Sequence, residues 1–435
     1  MSNDESAWAW AVPGVGLRPL LLDAAQAHRS GAIRYREDAT AILRHDSTGE
    51  LEIAPSAQIP CIRATFDDLN KSLSRLANSP LLPGGKTLRE LYDEAYAEYE
   101  ALCAETMASG GVEPDYGTYV FDPRDRFLYL VAPVQWHRLG LITSNSKLIQ
   151  DPEGKLSWAE IRARLEHAVI GFAGASVGGN VLEGWLREAR PSRVKIADPD
   201  WVELTNFNRG ERMSLRHLAL SRAARFDPRN SYDVPRMSKA AYIAYEASLV
   251  DPYMEAFVYE EGLTDENVER FLLGDGGDEP RLDVLVEETD DIDLKISLRE
   301  AARRHGIDVL MLSDFGHRAH VLWNPFRTDA SAAIGHGASD EELAAAVANV
   351  KKNGRSHFPR VVTALCGHDS LGPEFDDWFA GVTEQPTGSL PQSGATAMAS
   401  GAIGGKELAL HVLGHSLPPG NRVIYDLGHR TSTLG

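Results

Sequence analysis

Residues 168–210 read AVIGFAGASVGGNVLEGWLREARPSRVKIADPDWVELTNFNRG, and the fold expectation grows from this stretch. A short apolar run, Ala168 to Phe172, ends at Gly174-Ala-Ser-Val-Gly178-Gly179. Val181, Leu182, Trp185 and Leu186 then recur at helical spacing within Asn180 to Arg190. A second buried-strand run, Val194 to Ala197, closes on Asp198. Strand, glycine turn, helix, strand, acid is the order of a mononucleotide-binding βαβ unit. Glycines let the backbone approach phosphates closely, and the helix N-terminus presents unpaired N–H groups at the positive end of its dipole. Gly174, Ser176, Gly178 and Gly179 are therefore the expected cofactor-binding positions. Ser176 stands where the commoner glycine motif has its second glycine. Asp198 follows Gly174 by 24 positions, a suitable distance for gripping a ribose hydroxyl at the tip of the second strand.

The residues after Asp198 narrow the reading. Asp198-Pro-Asp200, five further residues, then Asn206-Phe-Asn208-Arg209 resembles the D-x-D-(five residues)-N-x-x-R signature of the ThiF/MoeB family. That family adenylates carboxylates and includes the ubiquitin-activating enzymes. Three departures stand beside the match: Ser176 in the glycine turn, Gly210 where the family usually has glutamine, and Asp291 in place of an asparagine. Gly174-x-Ser-Val-Gly178, the stretch VEETDDIDLKISLREAARRHGIDVLM beginning at Val286, and Pro391-Gln392 before a small-residue helix look most like the ThiF-type half of bacterial ThiF–nitroreductase fusion proteins. The similarity spans roughly residues 116–427. No nitroreductase half is present in these 435 residues, so no flavin chemistry is expected.

Bulk composition bounds the rest. Apolar content of 43% and charged content of 25% are those of a globular protein. A net charge of −19 argues against nucleic acid as a partner. No run approaches 18 apolar residues and the opening MSNDESAW lacks a signal-peptide pattern, so a cytoplasmic protein with no membrane partner is expected. Cys61, Cys103 and Cys366 lie far apart and form no CxxC pair, so the zinc site that many ThiF/MoeB members carry is not expected.

Three regions are expected: 1–115, an N-terminal domain of unreadable role; 116–330, an ATP-binding adenylation domain; and 331–435, its C-terminal part. In the first, helices are predicted over Phe66 to Ala77 and Thr87 to Ala108, the latter with Leu88, Leu91, Tyr92, Ala95 and Tyr96 on one face. Trp8 and Trp10 read as packing residues. Thr118 to Pro133 reads as a hairpin turning at Asp122 to Asp125, and Leu156 to His167 as a helix capped by Ser157 with Glu160 three later. Beyond Arg209, a basic segment carries Arg212, Arg216, Arg222, Arg225 and Arg229, either a solvated helix and loop or a lid over an acidic substrate. Helices are predicted from Met237, over Thr264 to Leu273, Leu294 to His305 and Asp340 to Lys351; strands over Leu282 to Asp291, ending in acid, Val309 to Ser313 and Arg422 to Leu427. This alternation predicts an α/β fold: a doubly wound, mostly parallel Rossmann-like sheet of ThiF/MoeB type, with a separate N-terminal α+β region.

The resemblance assigns roles. Arg209 and Lys239 would balance charge that develops on ATP's phosphates, Asp290 would act in catalysis and hold Mg2+ at a strand end, Asp198 would take the ribose, and Asn206 would position the phosphates. The implied reaction is ATP-dependent adenylation of a protein or peptide C-terminus, or of a small acid, by a homodimer. A nucleotide-binding regulatory or scaffold module without turnover, and an NAD(P)-dependent oxidoreductase, are the alternatives. Cys366, two residues from His368, is the one candidate acyl-carrying thiol by position, or else a buried apolar residue. His317 and His320 have no evident third ligand.

Overall fold

The computed structural model describes residues 16–17, 20–30, 32–35, 41–45, 49–53, 85–110, 115–122, 127–131, 133–134, 137–138, 147–210, 213, 238–354, 357–372, 375 and 392–434. Trp8, Trp10, the predicted helix at 66–77, Cys61, the turn at 123–125 and the basic residues 212–229 lie outside them. Two compact units emerge: residues 1–10, 17–166 and 246–255 form one, and residues 11–16, 167–245 and 256–435 the other.

In the second unit the βαβ order appears as read. Strand β1 (Ile170–Ala173) is buried at all four positions. Helix α1 (Val177–Ala189) returns the chain to β2 (Arg193–Ala197), which pairs parallel with β1. Further elements follow in chain order: α2 (Lys239–Val250), β3 (Glu255–Tyr259), α3 (Val268–Leu273), β4 (Val284–Glu287), α4 (Ile292–Arg304), β5 (Asp308–Phe315) and β6 (Arg318–Asn324). The chain closes with α5 (Asp340–Asn353), α6 (Phe358–Cys366), α7 (Gly394–Leu413), β7 (Arg422–Asp426) and β8 (Thr431–Leu434). These eight strands stand in the order β3-β2-β1-β4-β5-β6-β7-β8. Parallel ladders join β2, β1, β4 and β5, whereas β5 to β8 form an antiparallel meander. Strand order therefore reverses between β1 and β4, the place where a doubly wound sheet binds ligands beyond its carboxyl ends.

Side chains alternate between two covered faces. Leu285, Val309 and Met311 join Leu298, Ala301, Leu343, Val361 and Leu365, from α4, α5 and α6, in one core. On the other face, a Cβ added at Gly404 of α7 would meet Leu312 and Val181. Helices α1 and α7 cross there backbone to backbone: a Cβ at Gly184 would lie 2.6 Å from the Gly401 carbonyl oxygen, and one at Gly405 2.3 Å from the Gly184 carbonyl carbon. The small residues of α7 let two helix axes approach more closely than any larger side chain would permit.

In the first unit, Leu20–Asp23, Thr118–Asp122 and Phe127–Val131 form an antiparallel sheet, with Ala24–Ser30 helical after the first strand. A second sheet joins Ile33–Tyr35, Ala41–His45 and Gly49–Ile53. Helix Leu88–Ala108 starts on a Thr87/Glu90 capping box. Among its described side chains Ala95, Tyr99 and Leu102 are buried and Leu91 is half-buried, while Tyr96, expected on the same face, is exposed. Helix Trp158–His167 begins as read: Glu160 accepts from the Ser157 N–H (2.7 Å), and Ser157 Oγ accepts from the Glu160 N–H (3.2 Å). No helix among the described residues is long and apolar enough to cross a membrane.

Candidate functional site

At the end of β1, Gly174 takes φ +95°, and its N–H donates to the Ala197 carbonyl (2.8 Å). A Cβ here would sit 2.5 Å from the carbonyl oxygen of Glu288, just past β4. Both backbone angle and space demand glycine. Ser176 is the N-cap residue of α1 yet makes no side-chain cap bond, and its buried Oγ meets no partner. The first turn of α1 carries no acidic residue, so its positive end is not neutralised from within. A Cβ at Gly178 would touch Glu288 only at 3.8 Å, ordinary contact, whereas one at Gly179 would strike Ile243 of α2 at 2.8 Å. Gly179 is thus a packing glycine, whereas at Gly178 an added Cβ would meet nothing closer than ordinary contact.

Asp198, at the tip of β2, is 6% exposed. Its carboxylate accepts from the N–H groups of Ala175 (2.7 Å) and Asp200 (2.9 Å). Burial raises its pKa, against the pull of the Lys239 ammonium. Lys239, at the start of α2, reaches Asp200 with Nζ (2.9 Å) while its N–H donates to the Asp200 carbonyl (2.7 Å). One group of the predicted residues is therefore the corner of Asp198, Asp200 and Lys239 beside the glycine turn.

Asn206 organises the next turn. Its Oδ1 accepts from the Glu203 N–H (2.8 Å), and its carbonyl accepts from the N–H groups of Arg209 (3.1 Å) and Gly210 (2.7 Å). Arg209 Nη1 donates to the Thr205 carbonyl (2.9 Å) and to Asn208 Oδ1 (3.2 Å). Asn180 of α1 donates to the carbonyls of Arg209 (2.7 Å) and Ala397 (3.2 Å), tying this turn to α1 and α7 at once.

The strand ends β4 and β5 complete the site. Glu287, fully buried, pairs with Lys295 (2.9 Å) and Arg299 (3.0 Å) and accepts from the Thr289 N–H (2.9 Å). Burial alone would raise its pKa, but the two cations outweigh it and hold the carboxyl below its ordinary range. This anchor fixes the turn that presents Asp290 at the surface. Asp291, where the family has asparagine, caps α4 by accepting from the N–H groups of Asp293 (2.8 Å) and Leu294 (3.1 Å); aspartate does this as well as asparagine.

Asp314, near the end of β5, was not singled out from sequence. It is 4% exposed, its Oδ1 accepts from Gln392 Nε2 (3.1 Å), and its Oδ2 has no partner. Burial pushes its pKa up to about 7; Arg209 pulls against this and Asp290 adds to it. Gln392 bridges to Gly316 along the backbone, Thr396 Oγ1 donates to the Gly316 carbonyl (3.0 Å), and Gly394 packs on the Asn208 carbonyl. A second group thus gathers Arg209, Asp290, Asp314 and Gln392 from four separate places in the chain. Glu288 lies beside it, its Oε1 accepting from the Leu312 N–H (2.5 Å) and burial pushing its carboxyl well up. An acid at the end of an apolar strand was the one available signal for Asp314.

Cys366 sits in the core among α6 residues, and burial lifts its thiol to about 11, which disfavours the thiolate an acyl carrier needs. His368 is exposed on the following turn. His317 is exposed and His320 fully buried, so the two do not form a pair. Among the described residues no group of three or more His, Cys, Asp or Glu side chains is placed to hold a metal ion.

No protein-family profile matches the chain. "Uncharacterized protein MT1398" of Mycobacterium tuberculosis (strain CDC 1551 / Oshkosh) is 30% identical over 161 residues, which is 37% of this chain. The match covers about a fifth, 19%, of that relative's length. Among solved structures, E. coli MccB with ATP is similar at 11% identity and a TM-score of 0.42, covering 63% of this chain and 66% of that one. PaaA is similar at 12% identity and a TM-score of 0.45, covering 82% and 99%. The Rossmann-like assignment rests on the strand order itself.

Proposed function

We propose that this chain is a cytoplasmic ATP-dependent enzyme of ThiF/MoeB type that adenylates a carboxylate, carried by a protein or peptide C-terminus or by a small acid, and releases pyrophosphate. The observation that supports the reading is the glycine turn at the end of β1, where the strand order reverses, with Asp198 accepting from the Ala175 N–H of that turn. The turn suits a nucleotide's phosphates: α1 starts without a side-chain cap, Ser176 Oγ is unsatisfied, and Gly174 turns the backbone at a positive φ. Asp290 is the residue that would hold Mg2+, with phosphate oxygens and water completing its shell, and the ion would offset phosphate charge. Arg209 orients the reacting groups and offsets charge on the α-phosphate oxygens; Lys239, seated on Asp200 beside Asp198, adds a second cation. Asp198 holds the glycine turn through the Ala175 N–H and offers its remaining lone pairs to a ribose hydroxyl. Asn206 shapes the turn that aims Arg209.

Titration calorimetry is expected to detect ATP binding that weakens when magnesium is chelated, and ATP–pyrophosphate exchange is expected with an acid from a pooled set. Comparable or tighter binding of NAD would overturn the nucleotide assignment in favour of an oxidoreductase. A nucleotide-binding module without turnover is the second reading. It is favoured by the engagement of Arg209 with the Thr205 carbonyl and of Lys239 with Asp200, which leaves both cations partly occupied. The family resemblance also implies a symmetric homodimer. Light scattering at micromolar concentration is expected to return twice the mass of the chain, and a monomer alone would refute this assembly.

A further inference from the structure

We propose that Asn180 is a positioning residue for the adenylation step, acting through Arg209 by fixing the backbone from which that guanidinium projects. This role rests on the adenylation reading and deepens it, by naming what keeps the charge-balancing cation in register with the glycine turn.

Asn180 lies in the first turn of α1 and is 4% exposed. Its Nδ2 donates to the carbonyls of Arg209 (2.7 Å) and Ala397 (3.2 Å), 29 and 217 positions further along the chain. An amide nitrogen carries two hydrogens, so both are committed to distant backbone. Asn180 stands past the N-cap residue, Ser176, and neither bond serves its own helix. Helix α7 comes within reach because position 401 is glycine: a Cβ there would lie 2.3 Å from Asn180 Cβ. The start of α7 meets the same turn again, where a Cβ at Gly394 would fall 2.1 Å from the Asn208 carbonyl oxygen. Two successive peptide units, at Asn208 and Arg209, are thus held by α7 and α1.

What these contacts supply is aim. The Arg209 guanidinium donates to the Thr205 carbonyl and to Asn208 Oδ1, both on its own turn. A shift of that turn would carry all three groups together, keeping their contacts while the charge moved off target. Asn180 instead ties the turn to the helix that begins at Gly174 to Gly179, so the cation and the amides proposed to bind phosphate share one frame. Misplacing a reacting or stabilising group by about 1 Å can cost about a hundredfold in rate.

The test compares the full chain with Asn180→Ala, Arg209→Ala and the double variant. Pyrophosphate exchange into ATP is read with a pool of free amino acids, tetrapeptides with free C-termini and simple carboxylic acids. Asn180→Ala is expected to lower kcat about tenfold or more, while KM for ATP stays within about twofold. In the Arg209→Ala background the same substitution should cost less than about twofold, because nothing is left to aim. Asn180→Ser, a milder change that keeps a small polar side chain, is expected to show the same pattern. Hydrogen exchange reads the contact without any substrate. The Arg209 and Gly210 N–H groups donate to the Asn206 carbonyl and should lose about tenfold or more in protection. Amides of Ile170–Ala173 in β1 should keep theirs, which certifies the fold. An equal rate loss with and without Arg209, a loss confined to KM for ATP, or unchanged protection at Arg209 and Gly210 would each overturn the proposal. The adenylation reading fails separately, through a wild-type protein that binds no ATP or an Arg209→Ala variant that exchanges at the wild-type rate.

Discussion

Arg209→Ala is expected to slow adenylate formation by about a hundredfold or more, while ATP affinity changes far less. The argument is one of timing. On the proposed reading, glycine-turn amides and a metal ion would hold the nucleotide before reaction, whereas a fixed guanidinium would gain most as charge builds on the phosphate oxygens. Preorganisation is visible in the structure: Arg209 is held by Thr205 and Asn208, its carbonyl by Asn180, and the whole turn by Asn206. Losing one such stabiliser costs about 3 kcal/mol. Lys239→Ala is expected to act similarly, and it also strips Asp200 of its partner beside buried Asp198. If both were only surface cations, their removal would shift stability by less than ~0.5 kcal/mol and leave turnover intact. Single-turnover adenylation separates the cases. Wild-type rates in both variants would favour the module without turnover.

Arg299→Met is expected to destabilise the second unit by about 3–5 kcal/mol. Arg299 is fully buried, donates to Glu287 through Nε (3.1 Å) and Nη2 (3.0 Å), and satisfies the Ile334 carbonyl through Nη1 (3.1 Å). Methionine fills much of its volume, so the loss reports charge and hydrogen bonding more than a cavity. Lys295 alone then faces a buried carboxylate. The pH dependence has a definite sign. Because the folded state holds Glu287 below its ordinary value of 4.5, the stabilisation is present above that value and is lost as pH falls through the lower, folded one. The gap in melting temperature between wild type and Arg299→Met should therefore be wide at pH 7 and narrow in strong acid. Equal melting temperatures at neutral pH would show that the buried pair contributes nothing.

Much of the sheet was readable because its signals are local. The apolar run before Gly174, the helical spacing after it and the acid at position 198 appear as β1, α1 and the tip of β2. Ser157 with Glu160 marks a helix start because a capping box is a short local motif. What went unread depends on partners far away in sequence. Strand β6 carries no such signal because its pairing with β5 and β7 produces a strand buried over six of seven positions, without the alternation that announces one. Sequence predicts one helix over Thr264 to Leu273, yet Asn267 Oδ1 takes the Thr264 N–H and turns the chain, so α3 begins only at Val268. Asp314 was passed over for the same physical reason: its meaning comes from Gln392 and Arg209, 78 positions later and on a different loop, respectively. The two sets of predicted residues, Asp198 with Lys239 and Arg209 with Asp290, were named from order in the family motif; their separation into two corners is visible only in space.

The contact of α1 with α7 has a consequence for how the protein can change over evolutionary time. At Gly184, Gly401 and Gly405 even one added methyl group would collide with backbone, so the helices can neither slide by a residue nor rotate without separating. Asn180 and Thr396 then transmit that fixed register to Arg209 on one side and to the end of β5 on the other. The frame around the proposed ligand therefore keeps its alignment for as long as those three positions stay glycine. A lineage can thus exchange side chains around the site while the joint itself stays closed to drift.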